Sequence, residues 1–145
     1  MKGWIAAIVM GIALWSATIV GAADLNYVDA TQFKQWLAEK RPLILADIQK
    51  LPDYRKHHFY GAIGTTAYPV KSDADRSKLA AVVEMFRKTG NMVVIIGPRG
   101  KASARRAFVF LVEQGIPGDK IVILTGGIHD WPDREMLLDI AGGCA

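Results

Sequence analysis

Apolar residues along the chain follow two rhythms. Three runs are short and unbroken: Leu43-Ile44-Leu45-Ala46, Met92-Val93-Val94-Ile95-Ile96 and Ile121-Val122-Ile123-Leu124. Runs of this length, rich in β-branched residues and bounded by polar or glycine positions, predict buried strands. Between them, apolar positions recur every three or four residues. Phe33, Trp36 and Leu37 do so within Ala30 to Lys40, Leu79, Val82, Val83 and Phe86 within Asp73 to Lys88, and Ala104, Ala107, Phe108 and Leu111 within Ser103 to Gln114. That spacing lines one side of a helix. The punctuation agrees: Arg41-Pro42 stops the first helix, Ser72 or Asp73 suits the cap of the second, and Gly90 and Gly115 end the second and third. Shorter signals predict an edge strand at Tyr27-Val28, a helical turn near Tyr54 in a loop from Asp47 to Tyr60, and a strand in Ala62 to Ala67. They also predict a turn at Ile116 to Asp119 and a last short helix over Arg134 to Ile140.

Unbroken strands alternating with amphipathic helices predict an α/β fold, a parallel sheet with helices on both faces. Ligands in such sheets bind beyond the carboxyl ends of the strands. Asp47, the loop Gly97-Pro98-Arg99-Gly100-Lys101-Ala102 and the turn Gly126-Gly127 all follow strand ends, so they are expected on one side.

The first 23 residues read differently. Met1-Lys2-Gly3 is a short cationic start, Trp4 to Val20 is apolar apart from small residues, and Val20-Gly21-Ala22 and Gly21-Ala22-Ala23 both offer small residues for cleavage. A secretory signal peptide and an uncleaved membrane anchor both fit such a start. The run falls short of the ~20 residues a spanning helix needs, which favours the signal peptide. The expected organisation is a leader at 1–23 and one domain at 24–145, periplasmic or secreted and off the membrane once the leader is removed.

Loss of Lys2 takes the formal charge from +4 to +3. The cations form no long stripe and no aromatic platform accompanies them, which argues against nucleic acid. Near the loop stand Arg99, Lys101, Arg105 and Arg106; the first two sit where a small anion would feel them, and the other two read as a solvated helix face. The single cysteine, Cys144, excludes an internal disulfide. His57, His58 and His129 match no standard metal spacing, and neither a metal nor a cofactor is expected.

A strand, a tight glycine-containing loop and a helix start make an anion cradle, because free backbone N–H groups and the helix dipole meet there. A nucleophilic enzyme would set a low-pKa cysteine at the base of such a loop; here the base is Gly97. The surrounding pieces are Asp47-Ile48-Gln49, then Asp53-Tyr54, His57-His58-Phe59-Tyr60-Gly61-Ala62-Ile63, the Gly97 loop with Ser103, and Gly126-Gly127-Ile128-His129-Asp130-Trp131. In this order and spacing, from about Tyr27 to Trp131, the chain resembles the rhodanese homology domain. That family reads roughly Asp-Val-Arg, Glu-Tyr, Gly-His-Ile-Pro-Gly-Ala, Cys-x-x-Gly-x-Arg-Ser, Gly-Gly-x-x-x-Trp.

The resemblance implies the rhodanese-like fold. In active members a thiolate takes the sulfane sulfur of a donor such as thiosulfate, the loop amides hold the persulfide, and the sulfur passes to a thiophilic acceptor. This chain departs at the residues that matter for that chemistry: Gly97 stands at the cysteine, Ala102 and Gln49 at arginines, and Tyr60 at a proline, while Pro98 removes one loop amide. The six-residue loop matches the sulfurtransferase branch rather than the longer loop of the phosphatases that share the fold, and so favours sulfate, thiosulfate or sulfite as the anion. The expected anion-binding loop is Gly97, Arg99, Gly100, Lys101, Ala102 and Ser103, with Ser103 as helix cap and with Asp47 and His58 as supports satisfied by hydrogen bonds. Two functions follow from different classes. One is an exported binding or interaction module without sulfurtransferase activity, its partner a small oxyanion or another exported protein. The other is a sulfurtransferase whose thiol comes from Cys144 or from a partner.

Overall fold

The computed structural model describes residues 24–138; the expected leader, Cys144 and the end of the expected last helix lie outside them. In chain order the elements are β1 (Tyr27–Val28), α1 (Ala30–Ala38), β2 (Leu43–Asp47), α2 (Leu51–Lys56), β3 (His58–Phe59), β4 (Ile63–Gly64), α3 (Asp73–Ser77), α4 (Ala80–Thr89), β5 (Met92–Ile96), α5 (Ala102–Glu113), β6 (Ile121–Leu124) and β7 (Leu137–Leu138), with single 3-10 turns at Gly118–Lys120 and Arg134–Met136.

Five strands form a parallel sheet in the order β1-β6-β5-β2-β4. Its three central strands are the three unbroken apolar runs. Alternation along them divides the core in two. Ile44, Ala46, Val93, Ile95, Ile121 and Ile123 face α4 and α5, meeting Leu79, Val82, Val83, Ala104, Ala107, Phe108 and Leu111. Leu45, Val94, Ile96, Val122 and Leu124 face α1 and the small β3-β7 ribbon, meeting Phe33, Phe59, Trp131 and Leu137. Phe33, Phe59 and Trp131 pack edge to face with centroids 4.9 to 5.6 Å apart, a geometry that aromatic quadrupoles favour. The parallel sheet with helices on both faces stands as the sequence predicts.

Three elements differ. The helix expected over Asp73 to Lys88 is two helices. The first turns, α3, are polar with no buried residue and are closed by a Ser72–Asp75 capping box, and the apolar stripe begins only at Leu79. The strand expected in Ala62 to Ala67 shortens to Ile63–Gly64: Thr65 N–H still makes the ladder bond to the Asp47 carbonyl, but the next residue, Thr66, turns to φ 56° and ends the strand. The helix expected from Arg134 is one 3-10 turn followed by β7, which pairs antiparallel with β3. Leu137 is drawn into the aromatic cluster under α1, and a strand delivers it there.

Candidate functional site

The parallel register puts every β-to-α connection at the same end of the sheet. The Gly97 loop leaves β5 there between β2 and β6, and the turn after β6 packs onto it. Ile128 N–H donates to the Gly97 carbonyl and His129 N–H to the Pro98 carbonyl, each at 3.0 Å. Gly100 has φ +61°, and a Cβ on it would overlap the Leu124 carbonyl oxygen; Gly127 has φ +59°, and its Cβ would overlap the Gly97 carbonyl. Both positions therefore require glycine. Gly97 does not. No positive φ marks it, and a Cβ there would meet Ile48 at 3.5 Å and Ala104 at 3.7 Å, ordinary contacts. A side chain fits at the base of the loop, so backbone geometry does not require glycine there.

Among the described residues, no backbone carbonyl accepts from the N–H groups of Arg99 through Ala104. They line the loop and the first turn of α5, whose dipole is positive at this end. A cleft of about 270 Å³ opens beside them, walled by Tyr68, Pro98, Arg99, Lys101, Ala102, Ser103 and Arg106. Ser103 is not the helix cap. The helix starts at Ala102, Lys101 holds the cap position two residues before Ser103 without a side-chain bond, and Ser103 lies in the first turn, where it is nearly buried at the cleft wall. Arg99 and Lys101 are exposed above it.

Asp47, the last residue of β2, is fully buried. One carboxylate oxygen accepts from Gln49 N–H (2.9 Å), the other from Gln49 Nε2 (3.0 Å), and the same amide group donates to the His57 carbonyl (3.0 Å). Its backbone carbonyl takes bonds from Thr65 N–H and Oγ1, each at 2.9 Å. Asp47 thus ties Gln49 and Thr65 to the end of β2 through hydrogen bonds. Burial pushes its carboxyl pKa from 3.8 up to about 6, against the two bonds from Gln49, which lower it. Gln49 supplies donors where an arginine would also supply charge. Tyr54 feels the same region: burial first, and then the Asp47 charge, raise its phenol pKa.

His58 is buried against Tyr54, with ring centroids 4.2 Å apart, and its Nδ1 bonds the Tyr54 carbonyl at 2.8 Å. A carbonyl only accepts, so Nδ1 carries the proton. His58 supports α2 and does not reach the loop clefts. His57 does, lining a second cleft of about 300 Å³ with Gln49, Arg99, His129 and Arg134.

Two residues escaped the sequence reading. Arg106, read as a solvated helix face, clamps the Pro69 carbonyl with Nε (3.1 Å) and Nη2 (2.8 Å). That clamp holds Tyr68 at the cleft, between Thr66 (φ 56°) and Val70 (φ 59°), a strained conformation for β-branched residues. No periodicity marks such a segment. Arg105 reaches Tyr27 Oη instead (3.0 Å).

The described residues hold no group of three or more His, Cys, Asp or Glu arranged to take a metal. No curated protein matches the chain. Among solved structures it is similar to a rhodanese-like domain protein from Staphylococcus aureus, with 20% identity, 79% of this chain and 98% of that one covered, and a TM-score of 0.59. An As-Sb reductase from Leishmania major shares 13% identity over 74% of this chain and 77% of its own, with a TM-score of 0.57. A thiosulfate sulfurtransferase from Pseudomonas aeruginosa shares 18% over 79% of this chain but only 19% of its own length, with a TM-score of 0.54. At these identities the likeness is one of fold. The sequence carries the rest: residues 29–134 match the family model of the rhodanese-like domain, which spans the β2 end, the Gly97 loop and the Gly126-Gly127 turn, and the chain belongs to that family.

Proposed function

We propose that the protein is an exported rhodanese-like binding module without sulfurtransferase turnover, and that its loop holds a small sulfur oxyanion such as thiosulfate or sulfate. The observation that carries this reading is the state of the loop. Its base is Gly97 although a side chain fits there, while the N–H groups of Arg99 through Ala104 are left without backbone acceptors. The recognition apparatus is kept and the nucleophile is gone. Sulfur transfer needs a thiolate to attack the sulfane sulfur of thiosulfate and release sulfite. Ser103 does not replace it: none of the three histidines lines its cleft as a base. Arg99 and Lys101 add positive charge to the amides, which suits an oxyanion.

The test is a thiosulfate-to-cyanide sulfur-transfer assay on the wild type, Cys144→Ala and Gly97→Cys, paired with calorimetric titration of thiosulfate into the wild type and Lys101→Ala. The expected result is background turnover in the wild type and in Cys144→Ala, with weak thiosulfate binding that Lys101→Ala reduces further. Wild-type turnover that vanishes in Cys144→Ala would overturn the reading and move catalysis to the tail.

A further inference from the structure

The cleft walls at the loop end of the sheet are positively charged. Three clefts meet there, of about 270, 300 and 380 Å³. All three share Arg99; two share Lys101 and two share His129, so they form one continuous surface around the loop. Its walls carry five cations, Lys56, Arg99, Lys101, Arg106 and Arg134, against two carboxylates, Asp53 and Asp130. Asp130 is engaged by His129, whose Nδ1 lies 2.7 Å from its Oδ1. Among the described residues, none of the five cations makes an ion pair. These walls alone carry three more cations than carboxylates, where the whole chain has a formal excess of +4. A small oxyanion in the cleft beside Ser103 would answer Arg99 and Lys101 and leave Lys56 and Arg134, on the far side of Arg99, unmatched.

We propose that the cleft between α2 and the turn after β6, lined by Lys56, His57, Arg99, His129 and Arg134, docks an extended acidic segment of a partner protein. The proposal rests on the binding-module reading and names the partner's chemistry. An extended chain repeats its side chains on one face every ~7 Å, so successive carboxylates meet successive cations along a trough, as one small anion does not. Ile128 and Pro98 line the same cleft and offer apolar surface to a peptide's backbone and methylene groups.

The experiment uses fluorescein-labelled hexaglutamate, followed by anisotropy at low ionic strength, with hexaglutamine and a single-stranded oligothymidylate as comparison probes. Saturable binding of hexaglutamate alone is expected, weakening as salt is added. The double variant Lys56→Gln/Arg134→Gln should bind about tenfold more weakly, with its thiosulfate titration unchanged and only a small drop in thermal midpoint from the exposed bond that Arg134 Nη2 donates to the His129 carbonyl (3.0 Å). Lys88→Gln/Lys120→Gln removes the same charge from the opposite end of the sheet, just before β5 and β6, and should leave hexaglutamate binding within about twofold. Lys56→Gln alone, which breaks no hydrogen bond of the fold, should show a smaller loss in the same direction. Equal losses from the two charge pairs, no saturation, or tighter binding of the oligothymidylate would each overturn the proposal. Thiosulfate binding that persists without hexaglutamate binding would sink the docking surface and spare the oxyanion reading; hexaglutamate binding without thiosulfate binding would do the reverse.

Discussion

Gly97 and Gly100 lie three residues apart in one loop and obey different constraints. Gly100 is fixed by its left-handed φ and by the Leu124 carbonyl, whereas Gly97 has room for a side chain between Ile48 and Ala104. Gly97→Cys should therefore fold, and its thiol should titrate below the ordinary ~8.5 because it sits at the positive end of α5; alkylation rate against pH reads this. A cysteine that titrates like a free thiol would show that the loop amides and helix end do not converge on position 97. Asp47 gives a second prediction at this scale. Its folded pKa of about 6 lies above the unfolded 3.8. At low pH both states hold the proton and the site costs nothing. As pH rises through that window the unfolded chain ionises first, so stability falls, and above it the penalty is constant at about 3 kcal/mol. Asp47→Asn should shift the stability difference from wild type in the variant's favour by about that amount between pH ~4 and pH ~7, measured by urea unfolding. Parallel stability curves for the two proteins would mean that the carboxylate is not desolvated.

At the scale of elements, the site is a loop clamped by a turn. Gly127 touches the loop backbone at Gly97, Arg99 and Gly100, with no flexible side chain to give way. Gly127→Ala should cost about 2–3 kcal/mol in urea unfolding and remove calorimetric thiosulfate binding. Gly61→Ala is the matched control. It has φ +75° with nothing within 4 Å of the added carbon, so it should cost only about 1 kcal/mol and leave binding intact. Similar costs for both would mean that the turn can move off the loop freely. The sequence showed the long elements because their burial is periodic: the α4 and α5 stripes and the three central strands are where their patterns put them. It hid the β3-β7 ribbon, since two-residue strands have no period and their partners lie far apart in the chain. It hid Tyr68 for the same reason, because Arg106 places it through one non-local clamp on Pro69. Ser103 was misread as the cap, since moving the cap two residues back, to Lys101, turns Ser103 into part of the cleft wall.

For the molecule as a whole, the sheet order sends the ends of β2, β5 and β6 to one side and leaves the start of the chain at an edge. That edge bears on the expected leader. Leu25 already packs against the core. Asn26 accepts from Ile123 N–H at 2.8 Å through its backbone and donates to the Gly118 carbonyl at 2.8 Å through its side chain. Tyr27 then pairs with Ile123 in β1. Leu25 and Asn26 thus belong to the folded body; a cut after Ala22 or Ala23 leaves both in place, whereas a cut a few residues later would strip them from it. In expressing cells the protein is expected in the exported soluble fraction, with an intact mass that corresponds to a chain starting at Ala23 or Asp24. Its thermal midpoint should equal that of a chain produced from Asp24 onward. Recovery of the full-length chain with Met1 or Lys2 attached, in the membrane fraction, would make the apolar segment an anchor and confine the loop clefts to partners at a membrane surface.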